Sequence, residues 1–338
     1  MKIAVIGSGA WATALAHVFS TNSHQVVLVG RDEKSYDSVR NVNLKYFPDF
    51  VLSPFVSFST KLDSSLRDAD AILFCVPSKA YREKAREVAL LLDHPVIIFS
   101  AAKGLDPESF RPLSFLLEEE LPKRYVKGIV SLIGPSFASE VMEDKITTIC
   151  AVGRDEAINR EIQKAFSTPC FRIYTNQDEI GAQIGAALKN VIAIAGGCIS
   201  GLKEGENAKA GLVTRGLAEV IRFGVALGGK AETFFGLTGI GDLLLTCSSM
   251  KSRNYSLGYQ IGLEDDASKV LSRNEATVEG VIACKYAYLL SKKMDIDMPI
   301  VHSVYQVLYE GGRPSLVLKE TMARSLKAEN EKSPISSK

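Results

Sequence analysis

A lysine inside an apolar stretch is the side chain of this 338-residue sequence best suited to proton transfer. Lys189 and Asn190 interrupt residues 180–199, which otherwise have the pattern of a long apolar helix. An ammonium group in such a helix must find a partner or lose its charge, because burial of an amine lowers its pKa. Such an amine can act as the general base that takes the hydroxyl proton when an alcohol is oxidised by hydride transfer. The alternative is a lysine that extends from a half-buried helix to water.

Other polar residues of the C-terminal half could assist this chemistry. Asp242 follows the glycine-rich segment GLTGIG and could hold Lys189 in place, although an aspartate before an apolar run is more often an ordinary helix N-cap. Ser252, Arg253 and Asn254 place a hydroxyl, a guanidinium and an amide side by side, a combination that can bind the oxygens of a phosphate. A solvated loop is the ordinary alternative for that tripeptide.

The N-terminus carries a glycine turn of the kind that holds dinucleotides. Residues 3–6 form a short apolar run typical of a strand buried on both faces of a parallel sheet. Gly7, Gly9 and Ala12 follow in the spacing G-x-G-x-x-A, ahead of apolar residues at helical spacing. Gly7 permits a tight turn, Gly9 lets the backbone approach a pyrophosphate, and Ala12 allows close helix–strand packing. Trp11 either walls off the cofactor or the reacting centre, or packs on a neighbouring loop.

Charged residues follow two of the predicted strands. Arg31 and Asp32 come directly after the strand at residues 25–29 and Gly30. An acidic residue there binds the ribose hydroxyls of NAD, whereas an arginine suits the 2′-phosphate of NADP. Arg31 therefore favours NADPH and Asp32 keeps NAD open, unless both are solvated loop charges. Lys103 follows the strand at residues 95–100, at the edge of the sheet where ligands bind.

The pattern of the chain changes near residue 178. Before it, apolar runs that predict strands alternate with helical stretches such as residues 81–92; these runs lie at residues 25–29, 70–78, 95–100, 130–133, 147–152 and 171–174. After it, helical periodicity continues without a convincing strand. We therefore predict an α/β protein, an N-terminal Rossmann-type doubly wound sheet followed by an all-α C-terminal domain. The expected domains are residues 1–178 for the dinucleotide and 179–327 for substrate and catalysis, with a polar tail at 328–338.

Composition limits the partners that we expect. The net charge of +1, with 46% hydrophobic and 23% charged residues, indicates neither a nucleic-acid nor a membrane partner. The six cysteines are scattered without a C-x-x-C pair, which is typical of reduced thiols in a cytosolic protein. We expect no signal peptide before the first strand, and we interpret the apolar stretch 180–202 as a buried helix rather than a stable membrane insertion. The four histidines are expected to be structural.

Nine stretches together resemble one known family. They are GSGAWATALA, CVPS, SAAKGL, IGPSFASE, ALKNVIAIAGG, LVTRGLAE, GLTGIGDLLLTC, SRN and VEGV, and in this order and spacing they are highly specific. From Ile3 to about Arg324 the chain resembles the bacterial NAD(P)-dependent glycerol-3-phosphate dehydrogenases. One departure is Ala12, where the family commonly has glycine; alanine is a known variant at this position.

The resemblance implies roles for named residues. It places the dinucleotide on the following residues: Gly7, Gly9, Ala10, Trp11, Ala12, Arg31, Lys103, Ala138, Arg253, Thr277 and Glu279. It places the substrate on a second set: Lys103, Gly134, Ser136, Lys189, Asp242, Ser252, Arg253 and Asn254. Lys189 would be the proton acceptor, with Asp242 beside it and Lys103 touching both cofactor and substrate. The resemblance also implies a cytoplasmic homodimer that feeds phospholipid synthesis.

The expected reaction is the reversible NAD(P)H-dependent reduction of dihydroxyacetone phosphate to sn-glycerol 3-phosphate. Lys189, Asp242 and Lys103 would be its catalytic residues, and no metal would be needed because lysine ammonium groups can polarise a carbonyl. Two alternatives stay open. A 3-hydroxyacid dehydrogenase of similar build would depend less on Arg253, and a dinucleotide-binding sensor would need neither Lys189 nor Asp242.

Overall fold

The computed structural model describes residues 1–106, 109, 111–274, 278–326, 328 and 329. The chain divides into two compact units, Met1–Glu179 and Ile180–Lys338. They are called the first and the second unit below.

An eight-stranded sheet forms the centre of the first unit. The strands of this unit are β1 (Lys2–Ile6), β2 (Gln25–Val29), β3 (Tyr36–Asp37), β4 (Val42–Asn43), β5 (Val56–Ser59), β6 (Ala71–Phe74), β7 (Val96–Ser100), β8 (Val126–Ile133), β9 (Thr147–Val152) and β10 (Phe171–Asn176). The order in the sheet is β10-β9-β8-β7-β6-β1-β2-β5, while β3 and β4 pair separately. All neighbours in the large sheet are parallel except β8 and β9, which are antiparallel.

Helices cover the sheet of the first unit. They are α1 (Ala10–Thr21), α2 (Leu62–Leu66), α3 (Tyr81–Leu91), α4 (Leu113–Glu120), α5 (Ala138–Met142) and α6 (Glu156–Phe166). Alternate residues of β1 point to opposite faces and enter different apolar clusters, one with Phe19, Phe99 and Phe166 and the other with Phe74 and Tyr81. Burial on both faces is the arrangement that the continuous apolar strands predicted, and the Rossmann-type α/β fold is confirmed.

Several elements differ from the sequence prediction. The strand expected at residues 70–78 covers only Ala71–Phe74, and a 3₁₀ turn begins at Ser78. Pro77 has no N–H to donate, so the strand could not have continued through it. The edge strand β5 was not predicted, because only alternate residues of its sequence VSFS are apolar and an edge strand is half exposed. Helices α4 and α6 were missed as well. In α6, Asp155 caps the first turn by accepting from the N–H groups of Ala157 and Ile158.

The described residues of the second unit form helices joined by turns and loops, and none of them lies in a strand. Its elements are α7 (Glu179–Gly201), α8 (Glu206–Ala226), α9 (Asp242–Cys247), α10 (Arg253–Glu264), α11 (Ala267–Arg273), α12 (Glu279–Lys293), α13 (Pro299–Tyr309) and α14 (Pro314–Met322). Glu179, the first residue of α7, is the last residue of the first unit. By length and composition α7 could cross a membrane, but 83% of its most apolar window is buried inside the structure. That burial is typical of the core helix of a folded domain.

Glycines let α7 and α10 cross at backbone contact. A Cβ atom on Gly197 would overlap the carbonyl oxygen of Tyr255, and one on Gly258 would overlap the carbonyl oxygen of Ile194. Backbones that approach this closely leave no room for any side chain at the crossing. The crossing brings the first turn of α10, where Asn254 lies, against the middle of α7 and its residue Asn190.

Candidate functional site

The glycine turn joins β1 to α1 in the first unit. Gly7 has φ +121°, which favours glycine, and a Cβ atom there would overlap the carbonyl oxygen of Cys75. The Cys75 N–H in turn donates to the carbonyl oxygen of Ile6 at 2.9 Å. The chain beyond β6 therefore lies beside the glycine turn.

Gly9 presents the N-terminus of α1 to open space. It is the N-cap residue of this 12-residue helix, no side chain caps the helix there, and its first turn contains no acidic residue. A Cβ atom on Gly9 would meet nothing within 4 Å. Free N–H groups at an uncapped helix N-terminus are suited to bind a phosphate. The turn therefore fits the pyrophosphate of a dinucleotide.

Asn43 holds the glycine turn from outside the motif. Its side-chain amide donates to the carbonyl oxygen of Ser8 at 3.0 Å and to the hydroxyl oxygen of Thr13 at 2.8 Å. The Thr13 hydroxyl donates to the carbonyl oxygen of Gly9 at 3.0 Å. Sequence reasoning missed both residues. Thr13 directly follows the motif, so its contact with the turn could have been predicted from the sequence. Nothing in the polar segment after β2 singles out Asn43.

The other residues of the turn differ in exposure. Ala12 is fully buried, as a residue that packs a helix closely on a strand must be. Ala10 and Trp11 are half-buried and pack against the core of the first unit. The indole N–H of Trp11 is buried and has no acceptor among the residues that the structure describes. A buried N–H of this kind is available to a bound group.

Arg31 and Asp32 have different surroundings beyond β2. Arg31 is exposed, and no described residue forms an ion pair or hydrogen bond with it. The Asp32 carboxylate accepts from the N–H of Lys34 at 2.9 Å and so caps the short 3₁₀ turn Glu33–Ser35. Of these two charges, Arg31 is the one that a phosphate could engage without breaking a hydrogen bond that the structure shows.

Lys103 lies with Gly134 and Ser136, two of the other residues expected at the substrate. Its ammonium donates to the carbonyl oxygen of Gly134 at 2.8 Å and to the hydroxyl oxygen of Ser136 at 3.3 Å. The Ser136 hydroxyl also donates to the Gly134 carbonyl oxygen, at 3.0 Å. Ala138 begins α5, which packs against α1, the helix that the glycine turn opens.

Lys189 and Asp242 form a buried ion pair in the second unit. The Lys189 ammonium contacts the Asp242 carboxylate directly, and the two residues are 5% and 1% exposed. Asp242 is the first residue of α9, and the N-cap position belongs to Gly241. The interpretation of Asp242 as an ordinary N-cap is therefore wrong, and its contact with Lys189 is the one that the functional alternative required. The alternative that Lys189 extends to water is also wrong, since its side chain is buried.

Asparagine side chains connect α7, α10 and α12 beside this pair. The side-chain amide of Asn254 donates to the carbonyl oxygen of the Asn190 side chain at 2.9 Å. The side-chain carbonyl oxygen of Asn254 accepts from the Gly280 N–H, also at 2.9 Å. Asn254 is thus held in one orientation with one amide hydrogen left over. The predicted phosphate contact of Asn254 has to use that hydrogen.

The remaining described candidates of the second unit lie at the N-terminal ends of α10 and α12. Ser252 is buried and caps α10, where its hydroxyl oxygen accepts from the Tyr255 N–H at 3.3 Å. Arg253, the first residue of α10, is exposed and has no ion-pair partner among the described residues. Glu279 is the first residue of α12 and is half-buried. Thr277 lies outside the described residues.

The histidine side chains are engaged elsewhere, and the cysteine near Lys189 is not reactive. Each of the four histidines is hydrogen-bonded: His17 to Asp144, His24 to the carbonyl oxygen of Ala165, His94 to the carbonyl oxygen of Ala69, and His302 to Ser291. Burial raises the pKa of the Cys247 thiol, near Lys189, to about 12, so that thiol is no nucleophile at neutral pH. The residues that the structure describes include no group of three or more His, Cys, Asp or Glu placed to hold a metal ion.

Comparison with known proteins identifies the family. The model of the N-terminus of NAD-dependent glycerol-3-phosphate dehydrogenase matches residues 2–159, and the model of its C-terminus matches residues 178–319. The glycerol-3-phosphate dehydrogenase [NAD(P)+] of Enterococcus faecalis is 43% identical over 332 residues, 98% of each chain. The protein of that name from Streptococcus pneumoniae is 41% identical over 331 residues, 97% of this chain and 98% of the relative.

A solved structure agrees with the relatives. The crystal structure of glycerol-3-phosphate dehydrogenase from Coxiella burnetii superposes with a TM-score of 0.87 at 33% identity, over 95% of this chain and 98% of that one. This chain therefore contains both the N-terminal and the C-terminal region of the family, and the residues described above lie within them. This chain belongs to the NAD-dependent glycerol-3-phosphate dehydrogenase family.

Proposed function

We propose that this chain catalyses the reversible NAD(P)H-dependent reduction of dihydroxyacetone phosphate to sn-glycerol 3-phosphate, with Lys189 as the residue that exchanges the proton. The observation that carries the proposal is the buried ion pair of Lys189 with Asp242, in a chain that belongs to this family of oxidoreductases. A charged pair in an apolar interior stabilises a fold little more than apolar residues would. The presence of Lys189 in the middle of α7, paired with Asp242 of α9, is better explained by chemistry.

Residues of the first unit bind the dinucleotide in this proposal. The N-terminus of α1 binds the pyrophosphate, with Gly7, Gly9, Ala10 and Ala12 shaping the turn. When bound, the nicotinamide dinucleotide supplies the hydride for reduction or accepts it in oxidation. Trp11 offers its buried indole N–H to the bound group.

Arg31 decides between the two cofactors in this proposal. Its exposed guanidinium binds the 2′-phosphate that NADP carries and NAD lacks, so NADPH is preferred. Ala138, Arg253, Thr277 and Glu279 complete the set of residues assigned to the cofactor.

Lys189 and Asp242 carry out the proton transfer. As the carbonyl oxygen of dihydroxyacetone phosphate gains negative charge, the Lys189 ammonium donates a proton to it. The Asp242 carboxylate keeps that ammonium charged before the transfer and fixes its direction. In the reverse reaction the Lys189 amine accepts the hydroxyl proton of glycerol 3-phosphate. Lys103 provides a second ammonium that polarises the substrate, so no metal is needed.

The substrate phosphate is held by the first turn of α10. Arg253 has no competing carboxylate among the described residues, Asn254 retains one amide hydrogen, and the Ser252 hydroxyl hydrogen is free to donate. Gly134 and Ser136, which already contact Lys103, bind the rest of the substrate.

Membership of the family supports proposals about the wider setting of the enzyme. We propose that residues 1–178 bind the dinucleotide and that residues 179–327 carry substrate and catalysis. The enzyme works as a cytoplasmic homodimer whose product supplies glycerophospholipid synthesis. Its partners are the two phosphate esters rather than nucleic acid or membrane, in keeping with the net charge of +1.

The test follows the loss of NADH and NADPH absorbance, in parallel, on addition of dihydroxyacetone phosphate. Turnover by the wild type should fall at least about a thousandfold in Lys189→Ala while dinucleotide binding is retained. Lys209→Ala is the matched control, because Lys209 pairs with Glu206 at 2.8 Å on the surface of the same unit and should turn over normally. A wild type that oxidises neither cofactor with this substrate would overturn the proposal.

A further inference from the structure

Lys103 follows β7, and other residues must hold its backbone in place. The Lys103 ammonium contacts Gly134 and Ser136, but a lysine has four rotatable side-chain bonds, so those contacts do not fix its backbone. Lys103 is three positions after Ser100 and three before Asp106. Both flanking residues are buried, with Ser100 at 0% and Asp106 at 2% exposure.

Tyr81 holds the near side of this segment. It is the first residue of α3 and is completely buried. Its hydroxyl lies 2.8 Å from the Ser100 hydroxyl and donates to the Phe74 carbonyl oxygen at 3.2 Å. The same Phe74 oxygen accepts from the Ala101 N–H at 3.0 Å. The chain that leaves β7 is therefore tied to β6 and to α3 before it reaches Lys103.

Arg82 holds the far side. Its guanidinium donates to the Asp106 carboxylate at 2.8 Å and also pairs with Glu120, the last residue of α4. Asp106 further accepts from the Ser109 N–H at 3.1 Å and the Ser109 hydroxyl at 2.6 Å. Burial alone would raise the pKa of Asp106, but the bonds from Ser109 and Arg82 outweigh it and hold that pKa below its ordinary value. Asp106 thus stays ionised and bound to Arg82 at neutral pH.

We propose that Tyr81 and Arg82, acting through Ser100 and Asp106, form a two-point clamp that positions Lys103 for the reaction. Tyr81 and Arg82 are consecutive residues of α3, and they bind the chain three positions before and three positions after Lys103. These two contacts restrict the backbone of Lys103 and so keep its ammonium within reach of the substrate. Tyr81 and Arg82 are positioning residues, since neither is assigned to substrate or cofactor. The inference rests on the role proposed above for Lys103.

The kinetic test asks whether the clamp acts through Lys103. Tyr81→Phe removes one hydroxyl and keeps the buried ring, and Asp106→Asn removes the charge that Arg82 binds. Each should lower kcat/KM for dihydroxyacetone phosphate about tenfold, because small misplacements of a reacting group are costly. In a Lys103→Ala background the same changes should alter kcat/KM less than about twofold. An equal loss in both backgrounds would overturn the clamp, since it would show an effect that bypasses Lys103.

Glu87→Gln is the matched control. Glu87 is half-buried and pairs with Lys84 of α3 at 2.6 Å, so its loss removes an ion pair of the same helix. This variant should keep wild-type kcat/KM. A tenfold loss there would show that any damage to α3 lowers activity, which would also contradict the clamp.

A second measurement does not depend on turnover. Reductive methylation followed by peptide mass spectrometry gives the rate at which each lysine reacts. Lys103 should react several-fold faster in Tyr81→Phe and Asp106→Asn than in the wild type. Lys2, whose ammonium donates to the Arg67 carbonyl oxygen at 2.7 Å, should keep its rate and reports general loosening of the same unit.

The two measurements separate the possible failures. If Lys103→Ala turns over like the wild type, the proposed role of Lys103 is wrong, and the labelling rates alone decide the clamp. If the labelling of Lys103 is unchanged in both variants, the clamp is wrong whatever the kinetics show.

Discussion

The ion pair of Lys189 with Asp242 makes a strong prediction about stability as well as activity. Both side chains are almost fully buried in the second unit, so either partner left alone is a desolvated charge. Removing one partner of a buried pair typically costs ~3–5 kcal/mol, whereas removing both is often close to neutral. We therefore expect Lys189→Met and Asp242→Asn each to lower the free energy of unfolding by that amount. The double variant should lie within about 2 kcal/mol of the wild type, although it is inactive.

Urea unfolding measures this prediction, and the chain contains its own control. Helix ellipticity reports mainly the second unit, because the longest helices, α7 and α8, lie there and the described residues of that unit include no strand. The fluorescence of Trp11, the single tryptophan, reports the first unit. A loss of 3–5 kcal/mol should shift the ellipticity midpoint by about 1–2 M urea. A single variant that unfolds at the wild-type midpoint would refute the reasoning, since it would mean that the partner left behind is solvated.

Other predictions concern pH, packing and cofactor choice. Burial raises the pKa of Glu219 from 4.5 to about 8, even though its carboxylate accepts from two N–H groups at the start of α13. Because the folded-state pKa is the higher one, the contribution of Glu219 to stability should be fully present below about pH 4.5 and be lost, by roughly 5 kcal/mol, as the pH rises from 4.5 to about 8. Urea unfolding of Glu219→Gln at a series of pH values should lack this slope. Gly258→Ala should lower the free energy of unfolding by several kcal/mol in the same assay, whereas Gly211→Ala, in open space on α8, should leave it unchanged or raise it. Equal effects of the two changes would contradict the backbone crossing of α7 and α10. Arg31→Ala should raise KM for NADPH about tenfold and leave KM for NADH unchanged, and an unaltered preference would remove the argument for the 2′-phosphate.

Local requirements explain which parts could be predicted. A strand buried on both faces needs a continuous apolar run, and a turn at φ +121° needs a glycine, so β1, Gly7 and α1 are visible in the sequence. The same is true of α7, whose apolar length makes Lys189 conspicuous. The edge strand β5 was missed because half of it faces water and resembles a loop in composition. Helix α6 did carry a signal in the sequence, since Asp155 precedes Ile158, Ile162 and Phe166 at helical spacing.

Residue types and spacing along the sequence by themselves determined the glycine turn, the helical second half and the candidacy of Lys189, because each depends on neighbours within a few residues. Only the tertiary structure decided what the candidates contact. Spacing favoured an N-cap role for Asp242, yet the fold places it on Lys189. Asn43 on the glycine turn and Arg82 on Asp106 were likewise invisible, since packing creates these contacts between residues far apart in the chain. A polar side chain that enters a closed interior must take whichever partner the packing brings to it, and that partner is a property of the whole fold.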